Sequence, residues 1–153
     1  MNAIFPGSFD PITIGHEALI RKALPLFDKV VVAVGCNTQK HCMFSLEQRM
    51  QWVKDTFAGE EKVVVDAYDD LTVDYCQKHD IQMIVRGVRN ETDFRYEAEI
   101  ARLNKLLAPS IETMMLLPDA DTELISSSFV RELIKFGKNV DDYLAKGVAL
   151  IND

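Results

Sequence analysis

A histidine directly behind a glycine, two arginines around another glycine, a loop lysine and a run of three serines are the side chains here with chemistry to offer. They are His16 after Gly15, Arg86 and Arg89 around Gly87, Lys40, and Ser126-Ser127-Ser128. The set is cationic and rich in hydrogen-bond donors, and the sequence shows no nucleophile–base–orienter triad. It suits a transfer in which a phosphate of one substrate is itself the attacking group. That nucleophile is already anionic and needs no general base. The protein must then hold two polyanions together, align them and neutralise the charge that grows on the central phosphorus. Positioning and electrostatics supply nearly all of such catalysis.

Each residue also has a plainer reading. An isolated histidine at a helix start usually makes a local hydrogen bond, and arginines usually sit in solvent. Three serines can be no more than a helix cap. The surroundings decide against these readings. Gly15 lets a ligand approach the backbone beside His16. Arg86 directly follows the apolar Met83-Ile84-Val85, and two arginines at a strand's end make a fork for phosphate oxygens. Three serines exceed what a cap needs, and their hydroxyls and N–H groups suit the phosphates of a nucleotide.

The elements that must position these groups alternate along the chain. Ala3-Ile4-Phe5 reads as a buried strand, stopped by Pro6-Gly7, with Ser8, Asp10 and Thr13 suited to a turn or cap. Ala18 to Phe27 recur at helical spacing, and Pro25 ends or kinks that helix. Lys29 to Cys36 is an unbroken β-branched run covered on both faces. Ser45-x-x-Gln48 opens a second helix as a capping box. Lys62–Tyr68, Ile81–Val85 and Ile111–Leu117 read as three further strands. Leu71–His79, Asn90–Leu107 and a helix from the serines to Gly137 separate or follow them. Asn139–Asp153 reads as one or two short helical turns. Five strands with crossover helices mean a parallel sheet with helices on both faces, and ligands in such sheets sit at the carboxyl ends of the strands.

A chain of 153 residues predicts one domain, 1–153. The formal net charge of −7 argues against broad contact with nucleic acid or an anionic membrane. Three cysteines at irregular spacing are no disulfide framework, which points to a reducing cytoplasm. No paired C-x-x-C marks a metal site, so none is expected. There is no signal-peptide pattern and no run long enough to span a bilayer.

The segment Pro6-Gly7-Ser8-Phe9-Asp10-Pro11, followed by Thr13-x-Gly15-His16, resembles the signature of the T/H-x-G-H nucleotidyltransferases. Among these the chain is most similar to the bacterial phosphopantetheine adenylyltransferase family. The likeness extends through Lys40 with Met43-Phe44-Ser45-Leu46-Glu47, Arg86-Gly87-Val88-Arg89, Asp93-Phe94 with Tyr96-Glu97, and Ile125-Ser126-Ser127-Ser128 with Val130. It implies a single-domain Rossmann-like α/β fold and adenylyl transfer from ATP to 4′-phosphopantetheine, giving dephospho-coenzyme A and pyrophosphate. The resemblance also implies Mg²⁺ with ATP and a homohexamer.

Carried over by position, His16 would stabilise the transition state, with Lys40 and Arg89 as further catalytic groups. Ser8 would meet both substrates, and Phe9 would approach ATP through its backbone. Gly87, Val88, Arg89 and Glu97 would contact ATP, as would Thr122, Glu123, Leu124, Ile125, Ser126, Ser127 and Ser128. Lys40, Thr72 and Arg86 would bind the acceptor, with Asn104 and Glu132 as weaker candidates. Ile14, His41-Cys42 and Thr122-Glu123-Leu124 depart from the family pattern. The alternatives are a cytidylyltransferase or nicotinate-mononucleotide adenylyltransferase of the same superfamily, or a non-catalytic nucleotide sensor.

Overall fold

Five runs of apolar and β-branched residues form one parallel sheet in the computed structural model, which describes residues 1–35 and 41–150. The strands are β1 (Asn2–Gly7), β2 (Lys29–Gly35), β3 (Val63–Tyr68), β4 (Met83–Gly87) and β5 (Glu112–Leu116). They lie in the order β3-β2-β1-β4-β5, and every neighbouring pair is parallel. The helices are α1 (Ile14–Ala23), α2 (Leu46–Thr56), α3 (Thr72–Lys78), α4 (Glu91–Leu107) and α5 (Ser127–Lys135). From β1 the chain steps outward through β2 and β3, then returns to add β4 and β5 on the other side. The strand order therefore switches between β1 and β4, where an open α/β sheet forms its binding crevice.

Both faces of the sheet are covered. Ala3, Phe5, Val30, Val32, Val34 and Val85 join one core with Ile20 and Ala23 of α1 and Trp52 and Val53 of α2. Ile4, Val31, Ala33 and Ile84 join a second with Val73, Tyr75 and Cys76 of α3. The alternation along β1 and β2 is the period-2 signature of strands buried on both sides. Most of the fully buried positions belong to these layers, and each buried Val, Ile or Phe among them stabilises the fold by about 1.5–3 kcal/mol. Pro25 ends α1 as expected, in a 3-10 turn at Leu24–Leu26.

Two local expectations change. The fourth strand runs from Met83 to Gly87 rather than from Ile81 to Val85. Pairing decides this: β5 stays in register from Met83↔Glu112 to Gly87↔Leu116. Arg86 and Gly87 are thus the last residues of a strand and not the start of a loop. The C-terminal segment has one 3-10 turn, at Asp141–Tyr143, and continues as a non-helical strap with a turn at Lys146–Gly147. Leu144 bridges Thr13 in antiparallel fashion, and the Lys146 N–H donates to Glu17 Oε1 at 2.8 Å. Val140 and Leu144 pack on Val130 of α5. The strap therefore braces the loop that leads into α1.

Candidate active site

A cleft of about 650 Å³ opens at the carboxyl ends of β1 and β4, lined among others by Ser8, His16, Arg86, Gly87, Arg89 and Ser126 to Ser128. Its geometry begins with Thr13. The Thr13 side chain caps α1 by accepting from the His16 N–H. In return the Thr13 N–H donates to His16 Nδ1 at 3.0 Å. A backbone N–H can only donate, so Nδ1 carries no proton and the neutral imidazole keeps its hydrogen on Nε2. Burial, followed by the nearby Arg86 charge, lowers the His16 pKa to about 4. At neutral pH this residue is a fixed N–H donor and not an acid–base group. The edge of its ring meets Phe9, with centroids 5.0 Å apart.

Arg86 faces the site with its geometry already set. Its Nε and Nη2 grip the two oxygens of Glu97 at 2.9 and 2.8 Å, and Nη1 donates to the Pro6 carbonyl at 2.9 Å. Three of the five guanidinium N–H groups are used, which leaves one on each terminal nitrogen. Glu97 is buried, at 7% exposure, and both its oxygens serve Arg86. Arg89 is more exposed and is tethered through Nε to Asp93 at 2.9 Å. Asp93 sits below the usual carboxylate range because Arg89 hydrogen-bonds it.

The serine run closes the opposite wall. Ser126 is the N-cap of α5 and accepts from the Phe129 N–H. The Ser127 hydroxyl donates to the Pro11 carbonyl at 2.8 Å. The Ser128 hydroxyl accepts from Arg131 Nη2 at 3.2 Å. Ser127 thus spends its proton inside the protein, whereas Ser126 and Ser128 only accept in these bonds and keep an O–H able to donate to a phosphate oxygen. The helix start also offers a ligand its backbone: the N–H groups of Ser127 and Ser128 in the first turn have no intrahelical acceptor and lie at the positive dipole end. Gly15 packs so close to this wall that a Cβ there would lie 2.7 Å from the Ile125 carbonyl oxygen.

Arg131 is a site residue that sequence reasoning passed over. It lines the cleft and donates to the Asp10 carbonyl at 2.9 Å. Arg86 and Arg89 are each hydrogen-bonded to a carboxylate. The nearest carboxylate oxygen to Arg131, on Asp10, is 3.9 Å away. The signal was present in the spacing, since Arg131 stands one helical turn beyond Ser127 and Ser128 and so shares their face.

Of the other expected residues, Phe9, Glu97, Thr122, Glu123 and Ile125 all line the cleft. Thr72 lines it as well, with its hydroxyl 3.2 Å from that of Tyr68. Asn104 lines the cleft, whereas Glu132 does not. Val88 and Leu124 are not brought to it. The Val88 N–H is spent on the Leu116 carbonyl at 2.9 Å with its side chain buried. Leu124 projects outward, 78% exposed. Lys40 lies outside the described residues.

Known proteins share this architecture. The cytidylyltransferase-like family model matches residues 4–133. The phosphopantetheine adenylyltransferase of Flavobacterium johnsoniae is 50% identical over 135 residues, covering 88% of this chain and 88% of its own. That of Phocaeicola vulgatus is 45% identical over 148 residues, 97% of each chain. A bifunctional NMN adenylyltransferase/ADP ribose pyrophosphatase from Francisella tularensis superposes with a TM-score of 0.72 at 19% identity, over 96% of this chain and 45% of its own. The last likeness is one of fold. With a family model spanning the sheet and the site, and relatives aligned along most of its length, the chain belongs to the phosphopantetheine adenylyltransferase family of cytidylyltransferase-like nucleotidyltransferases.

Proposed function

We propose that this chain joins the adenylyl group of ATP to 4′-phosphopantetheine, releasing pyrophosphate and forming dephospho-coenzyme A. The observation that carries this reading is the convergence of a neutral histidine donor, a braced arginine and an open helix start on one cleft at the strand switch point. An oxygen of the acceptor phosphate attacks the α-phosphorus in line. A P–O bond forms there, and the bond from that phosphorus to the bridging oxygen breaks, its electron pair leaving with pyrophosphate. No proton need move for the attack.

His16 Nε2–H donates to the α-phosphate oxygen on which charge accumulates, the role of an oxyanion donor. The two remaining N–H groups of Arg86 hold the acceptor phosphate, with Lys40 as a second cation there. Glu97 acts through Arg86 as a positioning residue. The N–H groups of Ser127 and Ser128, with Arg131 and Arg89, hold the phosphates that leave. Ser8 stands between the two substrates, and Thr72 meets the pantetheine arm. Among the described residues no group of three or more His, Cys, Asp or Glu is placed to hold a metal ion. Mg²⁺ would accordingly take its ligands from ATP phosphates and water, adding charge neutralisation there. Family membership also supports a cytoplasmic homohexamer. Among the described residues no helix is long and apolar enough to cross a membrane.

The test is pyrophosphate release from ATP, with and without 4′-phosphopantetheine. Stimulation by that acceptor, and none by nicotinate mononucleotide, is expected. ATP binding without turnover would make the protein a sensor, and turnover only with another acceptor would reassign it within the superfamily. Gly15→Ala supplies a local check on the nucleotide wall. The added methyl must displace the Ile125 carbonyl, so kcat/KM for ATP is expected to fall on the order of tenfold or more, by the logic of a small misplacement. KM for the acceptor should hold. An unchanged kcat/KM for ATP would detach this wall from nucleotide binding.

A further inference from the structure

We infer that Arg49 is a positioning residue for the reaction: it turns the Ser8–Phe9 peptide so that the Phe9 N–H is aimed at the reacting phosphates. The inference rests on the function proposed above. Arg49 lies on α2, and only 4% of it is exposed. Its partners are backbone carbonyls. Nε donates to Phe44 O at 3.1 Å, and Nη1 donates to Ser8 O at 2.7 Å and to Gly35 O at 3.1 Å. No carboxylate lies within ion-pairing distance of it among the described residues. A buried guanidinium is costly unless fully hydrogen-bonded, and a core position would be easier to fill with an apolar side chain. Its retention here needs a reason beyond packing.

The three carbonyls supply one. Ser8 belongs to the turn after β1, Gly35 ends β2, and Phe44 leads into α2. Ser8 and Gly35 line the cleft. A single planar group thus ties the turn after the central strand β1 to the last residue of β2 and to the entry of α2. A reciprocal brace runs the other way. Asp10, buried at 3% exposure, accepts from the Met43 N–H at 2.7 Å and the Phe44 N–H at 2.9 Å. Phe44 is held by its N–H on Asp10 and by its carbonyl on Arg49.

The contact to Ser8 carries the functional step. In a trans peptide the N–H lies antiparallel to the C=O. Drawing the Ser8 oxygen inward onto Arg49 therefore directs the Phe9 N–H the opposite way, to the cleft that both residues line. The backbone at Phe9 agrees: its φ of +49° is in the left-handed region, uncommon for a bulky residue and maintained only where the surroundings impose it. Arg49 and the buried Phe9 ring impose it here. The aimed N–H then joins His16 Nε2–H as a second donor at the phosphates, without Arg49 itself touching substrate.

The experiment has two arms. In the unmodified protein, the Phe9 amide resonance should move strongly downfield on addition of ATP alone, read by ¹H–¹⁵N NMR. In Arg49→Lys, which keeps the charge and loses the fork, that shift should vanish while those of Ser127 and Ser128 persist. Its kcat for pyrophosphate release should fall roughly tenfold to a hundredfold, with KM for ATP within about threefold, as expected for a lost transition-state contact. A Phe9 amide indifferent to ATP in the unmodified protein overturns the inference, whether or not the variant folds. So does an Arg49→Lys enzyme with undiminished kcat. If the unmodified protein releases no pyrophosphate at all, the proposed reaction fails instead, and the two failures are distinct.

Discussion

His16→Ala is expected to lower kcat by roughly 10²–10³-fold, the loss seen when one preorganised donor to a developing oxyanion is removed. The Kd for ATP should change by no more than about threefold, because the donor acts where charge develops and not on the resting nucleotide. Single-turnover rates beside equilibrium ATP binding make the comparison. Comparable turnover in the two proteins would end the proposed role. The histidine's environment adds a pH signature. Its pKa is lowered from 6.5 to about 4 by burial and then by Arg86, so kcat should show no His16 inflection between pH 5 and 8.

Stability should show the inflection that activity lacks. The unfolded chain binds a proton at His16 below pH 6.5, whereas the folded protein stays neutral until about pH 4. The contribution is fully present above pH 6.5 and is lost as pH falls towards 4, on the order of 3 kcal/mol over that window. Urea unfolding at pH 7.5 and pH 4.5 measures it. His16→Gln, whose amide oxygen can still accept from the Thr13 N–H, should flatten that acid limb.

The second large effect is at Arg86 and Glu97, and it should be asymmetric. Arg86→Met strands the Glu97 carboxylate, which is 7% exposed, and is expected to cost about 3 kcal/mol. Glu97→Met leaves a guanidinium whose side chain is 33% exposed, able to reach water, so about 1 kcal/mol is expected there. The double variant should recover most of the stability lost in Arg86→Met, because no uncompensated charge remains. Function should follow a different order. Arg86→Met should raise KM for 4′-phosphopantetheine at least about tenfold, through the loss of charge-assisted bonds to phosphate. The double variant should stay as impaired. An unchanged acceptor KM in Arg86→Met, or a double variant no more stable than that single one, would break the argument.

The strands were legible because Val30 to Val34 and Met83 to Val85 are apolar without alternation, a pattern that only a sheet covered on both faces accommodates. The limits of β4 were less so, because its last pair, Gly87↔Leu116, depends on a partner strand far along the chain. The serine run was read correctly as a helix start, but the fold commits one of its three hydroxyl protons. The Ser127 hydroxyl finds its acceptor at Pro11, a contact that no local pattern announces. Arg131 was within reach of helical spacing. Arg49 was not, since a charged residue among Glu47, Gln48, Gln51 and Lys54 reads as a solvent-facing position.

The sequence by itself determined the alternation of strands and helices, which rests on short-range terms, and through its motifs the family. The His16 tautomer also follows from a local exchange, whereas its lowered pKa comes from burial and Arg86, which only the fold supplies. Side-chain periodicity acts over a few residues, and the Thr13–His16 exchange that sets the tautomer spans one helical turn. Tertiary structure alone decided which donors remain free for a ligand. Glu97, the Pro6, Ser8 and Pro11 carbonyls and the Asp10 carboxylate each take up hydrogen-bonding capacity from residues distant in the chain. A buried polar group must be satisfied by whatever the fold brings beside it, so what is left over to bind phosphate is known only once those partners have met.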